Sequence, residues 1–135
     1  MVCESFESGH SNHALSQAIA GALGVVKPPI RMDSMGKYGL VARGCGSLYL
    51  RFPPSSYKEC VWDHAPGSLI LLEAGGAVTD MHGKALDFSL GAKLTGNHGV
   101  VGTSSPALHK RVLQVVAEAQ AAEAVAAAAA AALLK

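Results

Sequence analysis

Apolar and polar residues along this chain follow helical and strand spacings in turn. The clearest helical segment starts after Ser11, a residue type that favours helix N-termini, and its apolar positions recur every three or four residues from Leu15 to Leu23. Gly24 ends that helix. The clearest strand segment is 47–52, where apolar and polar side chains alternate. The same spacings predict strands at 2–7, 30–33, 77–79 and 99–103, and helices beginning at Ser34, Asp63 and Ser105.

The alternation within the central strand segment gives it two different faces. Leu48, Leu50 and Phe52 lie on one face, and Tyr49 and Arg51 lie on the other. Strands that alternate with helices predict an α/β fold, a layered sandwich of helices around a mainly parallel sheet. Such sheets bind ligands where strands end and helices begin. Four segments have this position and predict the site: 9–13, 33–37, 51–53 and 62–67.

Length and composition limit the class of protein. The chain has 135 residues, of which 50% are hydrophobic, so one globular domain is expected. We predict that this domain spans residues 1–120 and that residues 121–135 form an alanine-rich tail, with seven consecutive alanines at 126–132. The net charge of +1 and the lack of a basic run argue against a nucleic-acid polymer as partner.

The same features predict a soluble intracellular protein, cytoplasmic or organellar. The apolar run at 124–134 is shorter than the roughly 20 residues that a membrane span needs, so no membrane partner is expected. Glu4 and Glu7 make the first segment unlike a signal peptide. Three cysteines without a Cys-x-x-Cys pair are typical of a reducing compartment.

Several polar residues are candidates for chemistry, and each has a simpler interpretation. Asp63 stands at a predicted helix start, where the positive helix end favours a carboxylate or a phosphate, but it could be an N-cap alone. Lys37 could hold a phosphate or be a solvated helix residue. Arg51 could use its planar fork on a phosphate or be an exposed strand residue. His10 and His13 could suggest zinc, yet two ligands make a poor zinc site.

A longer pattern around Asp63 resembles a family signature. Trp62-Asp63-His64-Ala65-Pro66-Gly67, followed by Ala74-Gly75-Gly76, resembles the second signature of the magnesium-dependent inositol monophosphatase superfamily. The segments 3–13, 33–39 and 49–64 resemble the 3'(2'),5'-bisphosphate nucleotidases within that superfamily. The resemblance implies that the sandwich corresponds to the C-terminal domain of the inositol-monophosphatase-like fold.

The resemblance also implies an activity, a cofactor and a site. Nucleotidases of this kind are phosphoric monoester hydrolases that remove the 3'-phosphate from 3'-phosphoadenosine 5'-phosphate and leave AMP. The expected partner is therefore a small molecule of the adenosine 3',5'-bisphosphate class, the expected cofactor is Mg2+, and the expected setting is sulfate assimilation. Asp63 corresponds to a metal ligand that also touches substrate. The other residues expected to contact substrate are His10, Ser34, Lys37, Arg51 and, with the weakest support, Glu7.

One part of the family pattern is missing from this sequence. The first signature, Asp-Pro-x-Asp-Gly-Ser/Thr, does not occur, and neither do the upstream carboxylates that complete the metal shell and activate water. We therefore predict no catalytic residue in this chain and little hydrolysis by it alone. Two alternatives remain: a non-catalytic nucleotide-binding or interaction module, and an inositol (poly)phosphate phosphatase. A domain without its other half should also expose an apolar face and self-associate.

Overall fold

The structure is a computed structural model that describes residues 1–133, without the side chain of His10. The chain alternates between strands and helices from its N-terminus to residue 79 and ends in one long helix. Two short 3-10 turns, Ser8–His10 and Val61–Asp63, precede α1 and α3. The elements are β1 Val2–Glu4, α1 His13–Ala22, β2 Ile30–Arg31, α2 Gly36–Ala42, β3 Leu48–Arg51, α3 Ala65–Glu73, β4 Ala77–Thr79, β5 Val100–Thr103 and α4 Pro106–Leu133.

The five strands form one sheet in the order β2-β1-β3-β5-β4. Strand β1 is parallel to β2 and β3, with Cys3 opposite both Ile30 and Tyr49, whereas β5 is antiparallel to β3 and β4. The predicted α/β class is confirmed, and the sheet is mixed: β5 runs against the other four strands. The physical reason lies in the connections, because helices join the parallel strands and a loop without a described helix joins β4 to β5.

The sheet separates two apolar cores. Leu48, Leu50 and Phe52 pack with buried residues of α1 and α4, while Tyr49 packs with Tyr38 of α2 and with α3 on the opposite face. The predicted alternation of β3 is therefore confirmed. Both faces are covered, so β3 is buried along its whole length, including Arg51. The interpretation of Arg51 as an exposed strand residue is wrong.

Two predicted helix caps differ in the structure. Asn12 is the N-cap of α1, and its side-chain oxygen accepts a hydrogen bond from the Leu15 N–H at 3.0 Å. Ser11 instead accepts a bond from the Phe52 N–H at 3.3 Å, so it ties α1 to the end of β3. Asp63 ends a 3-10 turn two residues before α3 and does not cap it. Just before this turn, Cys60 is paired with Lys93 in an isolated antiparallel bridge.

The last helix continues through the predicted domain boundary. Its buried residues, His109, Val112 and Val116, all lie in its first half and pack against the sheet. By length and composition alone α4 could cross a membrane, which the shorter run 124–134 did not suggest, but one such helix is weak support for a span. The division into a domain at 1–120 and a tail at 121–135 stays a prediction, since no break in the helix marks it.

Candidate functional site

A cleft of about 200 Å3 opens at the carboxyl ends of β2 and β3. These strands are parallel to β1, so their ends meet at one edge of the sheet, where α2 and α3 begin. Four of the predicted site residues lie in this cleft: Ser34, Lys37, Arg51 and Asp63. The other residues that line it are Asp33, Met35, Tyr49, Tyr57 and His64.

Lys37 is a buried ammonium, not a solvated helix lysine. Its side chain leaves the first turn of α2 and is 2% exposed. The Nζ atom donates to the carbonyl oxygens of Met32 at 2.8 Å and Ser34 at 3.0 Å, and it lies 5.4 Å from the Tyr49 ring centre. Burial, and then the nearby positive charge of Arg51, lower the pKa of Lys37 from its usual 10.5. Among the described residues, no carboxylate is hydrogen-bonded to this positive charge.

Arg51 is the last residue of β3, and its guanidinium is fixed by two hydrogen bonds. Nε donates to Glu59 Oε1 at 2.5 Å, and Nη1 donates to Ser5 Oγ at 2.8 Å. Burial is the largest single influence and lowers the pKa of Arg51, but the hydrogen bond to Glu59 and the nearby charges of Glu59, Tyr49 and Tyr57 together raise that pKa above its usual value. An arginine has five N–H donors, so these two bonds leave part of the fork for the cleft.

Ser34 joins β2 to α2 in an unusual backbone conformation. Its φ is +139°, and it is the one described residue other than glycine with a positive φ. The Ser34 Oγ accepts a hydrogen bond from the Gly36 N–H at 2.9 Å, which satisfies one free donor at the start of α2. Such strain costs on the order of 1–3 kcal/mol and tends to occur where the backbone must present a functional group. Here it turns the Ser34 carbonyl toward Lys37.

A buried polar chain behind the cleft was not predicted from the sequence. Glu59 accepts from Arg51 on Oε1 and pairs through Oε2 with His64 Nε2 at 3.0 Å. The Nδ1 atom of His64 lies 2.8 Å from the Tyr38 hydroxyl. The sequence signal that could have revealed these hydrogen bonds was the spacing of Glu59 and His64, which lie five residues apart around the apolar stretch 60–62. Tyr38 lies 26 positions before His64, however, and the neighbouring elements must pack before these groups meet, so spacing alone could not connect them.

The acidic residues of the cleft are few. Asp33 and Asp63 both line it and are both exposed, and Asp33 Oδ1 accepts from the Phe6 N–H at 3.1 Å. Among the described residues, no three histidine, cysteine, aspartate or glutamate side chains group closely enough to hold a metal ion. Our expectation that His10 and His13 do not bind zinc stays a prediction. The Nε2 atom of His13 is hydrogen-bonded to the Ser5 carbonyl oxygen at 2.9 Å.

Two predicted site residues remain outside this picture. Glu7 is exposed, precedes the first 3-10 turn and is not among the residues that line the cleft. The side chain of His10 lies outside the described part of the structure. The geometry therefore gathers four of the six proposed substrate contacts, and the roles of all six stay predictions.

The arrangement is chemically suited to hold an anion. Lys37 and Arg51 place two positive charges beside a backbone turn and a hydroxyl, at low exposure, where electrostatic attraction is stronger than in water. The planar guanidinium of Arg51 can donate two parallel hydrogen bonds to a pair of oxygens of a phosphate or a carboxylate. The cleft itself contains His64, but its two ring nitrogens already face Glu59 and Tyr38. In this arrangement His64 is therefore not free to act as a general base.

Comparison with known proteins identifies relatives of this chain. The model of the inositol monophosphatase family matches residues 2–121. A rice protein named 3'(2'),5'-bisphosphate nucleotidase is 48% identical over 118 residues, which are 85% of this chain and 33% of that protein. A protein of the same name from Schizosaccharomyces pombe is 46% identical over 121 residues, 89% of this chain and 33% of that protein.

Solved structures agree at the level of the fold. An inositol monophosphatase from Zymomonas mobilis superimposes with a TM-score of 0.60 at 16% identity, covering 85% of this chain and 41% of that one. The structure of SaIMPase-II with inositol monophosphate gives 0.63 at 16% identity, covering 92% and 44%. This chain spans about one third of the length of the curated relatives. The resemblance in the signature segments is confirmed, and the chain belongs to the inositol monophosphatase family.

Proposed function

We propose that this chain is the nucleotide-binding portion of a magnesium-dependent phosphatase that removes the 3'-phosphate from 3'-phosphoadenosine 5'-phosphate to give AMP. The observation that carries the proposal is the presence of two buried cations, Lys37 and Arg51, in one cleft with Ser34 and Asp63. The names of the relatives support the choice of substrate class. In this proposal the reaction recycles nucleotide phosphates in sulfate assimilation, inside the cell.

The cleft favours a phosphate over a less charged group. The Lys37 ammonium and the Arg51 guanidinium are buried, so water stabilises their charges only weakly. A doubly charged phosphate can supply the missing stabilisation to both. Lys37 acts as a point charge and Arg51 offers paired N–H donors. The two residues therefore have complementary roles in holding one anionic group.

The described residues do not form a magnesium site by themselves. Mg2+ needs a near-octahedral set of oxygen ligands, and Asp63 offers one carboxylate with Asp33 as its neighbour in the cleft. Hydrolysis with two metals needs more carboxylates than these. We infer that the remaining ligands come from a segment outside this sequence, and that Asp63 contributes one ligand to the complete site.

We expect the isolated chain not to hydrolyse 3'-phosphoadenosine 5'-phosphate, because most metal ligands of the family are missing. Phosphate release should be measured with the purified chain in Mg2+, against a blank without protein. No release above the blank is the expected result. Clear turnover that Asp63→Ala abolishes and Asp87→Ala retains would overturn this view, since Asp87 lies in a turn with Ser89 and does not line the cleft.

Binding without turnover is the second expected property. Two charge-assisted contacts, each worth about 1.5–3 kcal/mol, would give affinity of roughly millimolar strength. Titration with AMP, followed by NMR, should shift the signals of Ser34, Lys37 and Arg51. Arg51→Ala should weaken binding about tenfold or more. The matched variant Arg111→Ala, at an exposed position of α4, should bind as the wild type does.

The same titration separates the competing functions. Tighter binding of 3'-phosphoadenosine 5'-phosphate than of inositol monophosphate supports the nucleotidase proposal. The reverse order would favour an inositol phosphate phosphatase. No shifts with millimolar nucleotide would exclude the binding module and mean that the cleft needs residues outside this chain even to bind.

A further inference from the structure

Glu59 links the anion-binding arginine to the helices that border the cleft. Its side chain is 4% exposed, and its two carboxylate oxygens have different partners. Oε1 accepts from Arg51 Nε at 2.5 Å, and Oε2 faces His64 Nε2 at 3.0 Å. Glu59 does not line the cleft, so it acts from behind Arg51.

The hydrogen bonds limit where the protons of this hydrogen-bonded chain can lie. A carboxylate can only accept, so His64 donates through Nε2–H to Glu59. In the Nε2–H tautomer, the Nδ1 atom accepts from the Tyr38 hydroxyl at 2.8 Å. Burial raises the pKa of Tyr38 well above 10.0, which keeps this donor protonated. Every group in the chain from Tyr38 to Arg51 thus has a partner of the right kind.

The hydrogen-bonded side chains from Tyr38 to Arg51 connect three elements around the cleft. Tyr38 belongs to α2, His64 precedes α3, and Arg51 ends β3. The Tyr38 ring also packs edge-on against Tyr49, with centroids 4.7 Å apart and planes at 79°. The position of the Glu59 carboxylate is therefore fixed by packed side chains and not by solvent-exposed ones.

We propose that Glu59 is a positioning residue, which holds the Arg51 fork so that its remaining N–H donors face the cleft. The proposal rests on the proposed function, in which Arg51 binds a phosphate. The Nε bond to Glu59 and the Nη1 bond to Ser5 fix the plane of the guanidinium from two sides. Without the carboxylate, Arg51 would lose its charge partner and one of these two bonds. The fork could then rotate, and an anion would meet it in several orientations.

Glu59→Gln tests the proposal with little change of shape. The amide oxygen can still accept from Arg51, and its NH2 group can face His64 if that ring changes tautomer to Nδ1–H. The charge that holds the fork is removed, while volume is conserved. Glu118→Gln, an exposed glutamate of α4, is the matched control.

The first measurement uses the free protein and needs no nucleotide. In nitrogen-edited NMR spectra, the Arg51 Nε–H signal should be resolved and exchange slowly with solvent, and His64 should show the Nε2–H tautomer. Glu59→Gln should shift and broaden the Arg51 signal and switch the His64 tautomer, whereas Glu118→Gln should change neither. A rapidly exchanging Arg51 Nε–H in the wild type overturns the proposal, and it does so even if Glu59→Gln fails to fold.

The second measurement concerns affinity. Glu59→Gln should weaken AMP binding about tenfold while retaining a cooperative thermal transition. Wild-type affinity in a folded Glu59→Gln variant overturns the proposal. If the wild type itself binds no AMP, nucleotide binding by this chain alone is excluded, and the Arg51 and His64 signals still decide whether Glu59 positions the fork.

Discussion

Individual charges in the cleft differ in how they are compensated. Arg51 has the Glu59 carboxylate, whereas Lys37 Nζ donates to the backbone carbonyls of Met32 and Ser34. The first arrangement raises the pKa of Arg51, and burial with the neighbouring guanidinium lowers that of Lys37. Of these two cations, Lys37 is consequently the one that loses its charge more readily at alkaline pH.

The lowered pKa of Lys37 predicts opposite effects of pH on binding and stability. As pH rises through the lowered pKa, the ammonium loses its proton, so AMP affinity should fall at a pH below the usual 10.5. The unfolded chain holds this proton up to 10.5, so its contribution to the free energy of unfolding should rise in the same window. Titrations and denaturant unfolding at several pH values measure both.

Variants identify Lys37 as the source of that pH dependence. Lys37→Met should bind AMP more weakly at neutral pH and show a flatter pH profile. Lys110→Met, at an exposed site on α4, should leave the profile unchanged. A wild-type profile in Lys37→Met would assign the alkaline change to another group.

Helices α2 and α3 pack in close contact behind the cleft. Gly67 of α3 faces Tyr38 of α2, and a Cβ atom on Gly67 would lie 2.3 Å from the tyrosine Cδ2. The Tyr38 ring cannot move aside freely, because its hydroxyl bonds His64 and its edge packs on Tyr49. The glycine after the Trp62-Asp63-His64 motif therefore lets α3 approach α2 closely enough to build the buried chain.

Gly67→Ala should destabilise the protein by about 1–3 kcal/mol, because the added methyl group overpacks this contact. The control is Gly39→Ala in α2, where a Cβ would meet nothing within 4 Å. That change should stabilise by up to about 1 kcal/mol through helix propensity. Denaturant unfolding of both variants gives the comparison. Equal stability of Gly67→Ala and wild type would mean that α2 and α3 separate more easily than this packing indicates.

The molecule as a whole exposes apolar surface near the cleft. Leu69, Ile70 and Leu72 of α3 are 59%, 55% and 50% exposed, and Trp62 just before the helix is 60% exposed. Among the described residues, the apolar cores do not include these three side chains of α3. The core residue of α3 is Leu71, which lies on the opposite side of the helix. Because the chain spans about one third of its curated relatives, we propose that this surface meets another polypeptide surface in the complete protein.

We expect the isolated chain to self-associate through this surface. Sedimentation over a range of concentrations should show oligomers, and Leu69→Lys combined with Ile70→Lys should shift the protein toward the monomer. The control is Lys replacement of Val125, which is 70% exposed on α4, far along the chain from α3. A monomer at every concentration, with no binding of an apolar dye, would contradict the prediction.

The sequence alone determined the local spacings and the family pattern. Alternation in β3 predicted its two faces, and the strand and helix order predicted the α/β class, because side-chain periodicity follows directly from backbone geometry. The signature around Asp63 predicted the family, and Ser34, Lys37, Arg51 and Asp63 do line one cleft.

Only the tertiary structure decided how those residues are held. It reversed β5, moved the start of α3 past Asp63, and buried Lys37 and Arg51, which the sequence alone allowed to be solvated. It also joined Tyr38, His64 and Glu59 behind the arginine. Such contacts link positions up to 46 residues apart, as in the Arg51–Ser5 bond, and their formation depends on how whole elements pack. Local spacing contains no information about that packing.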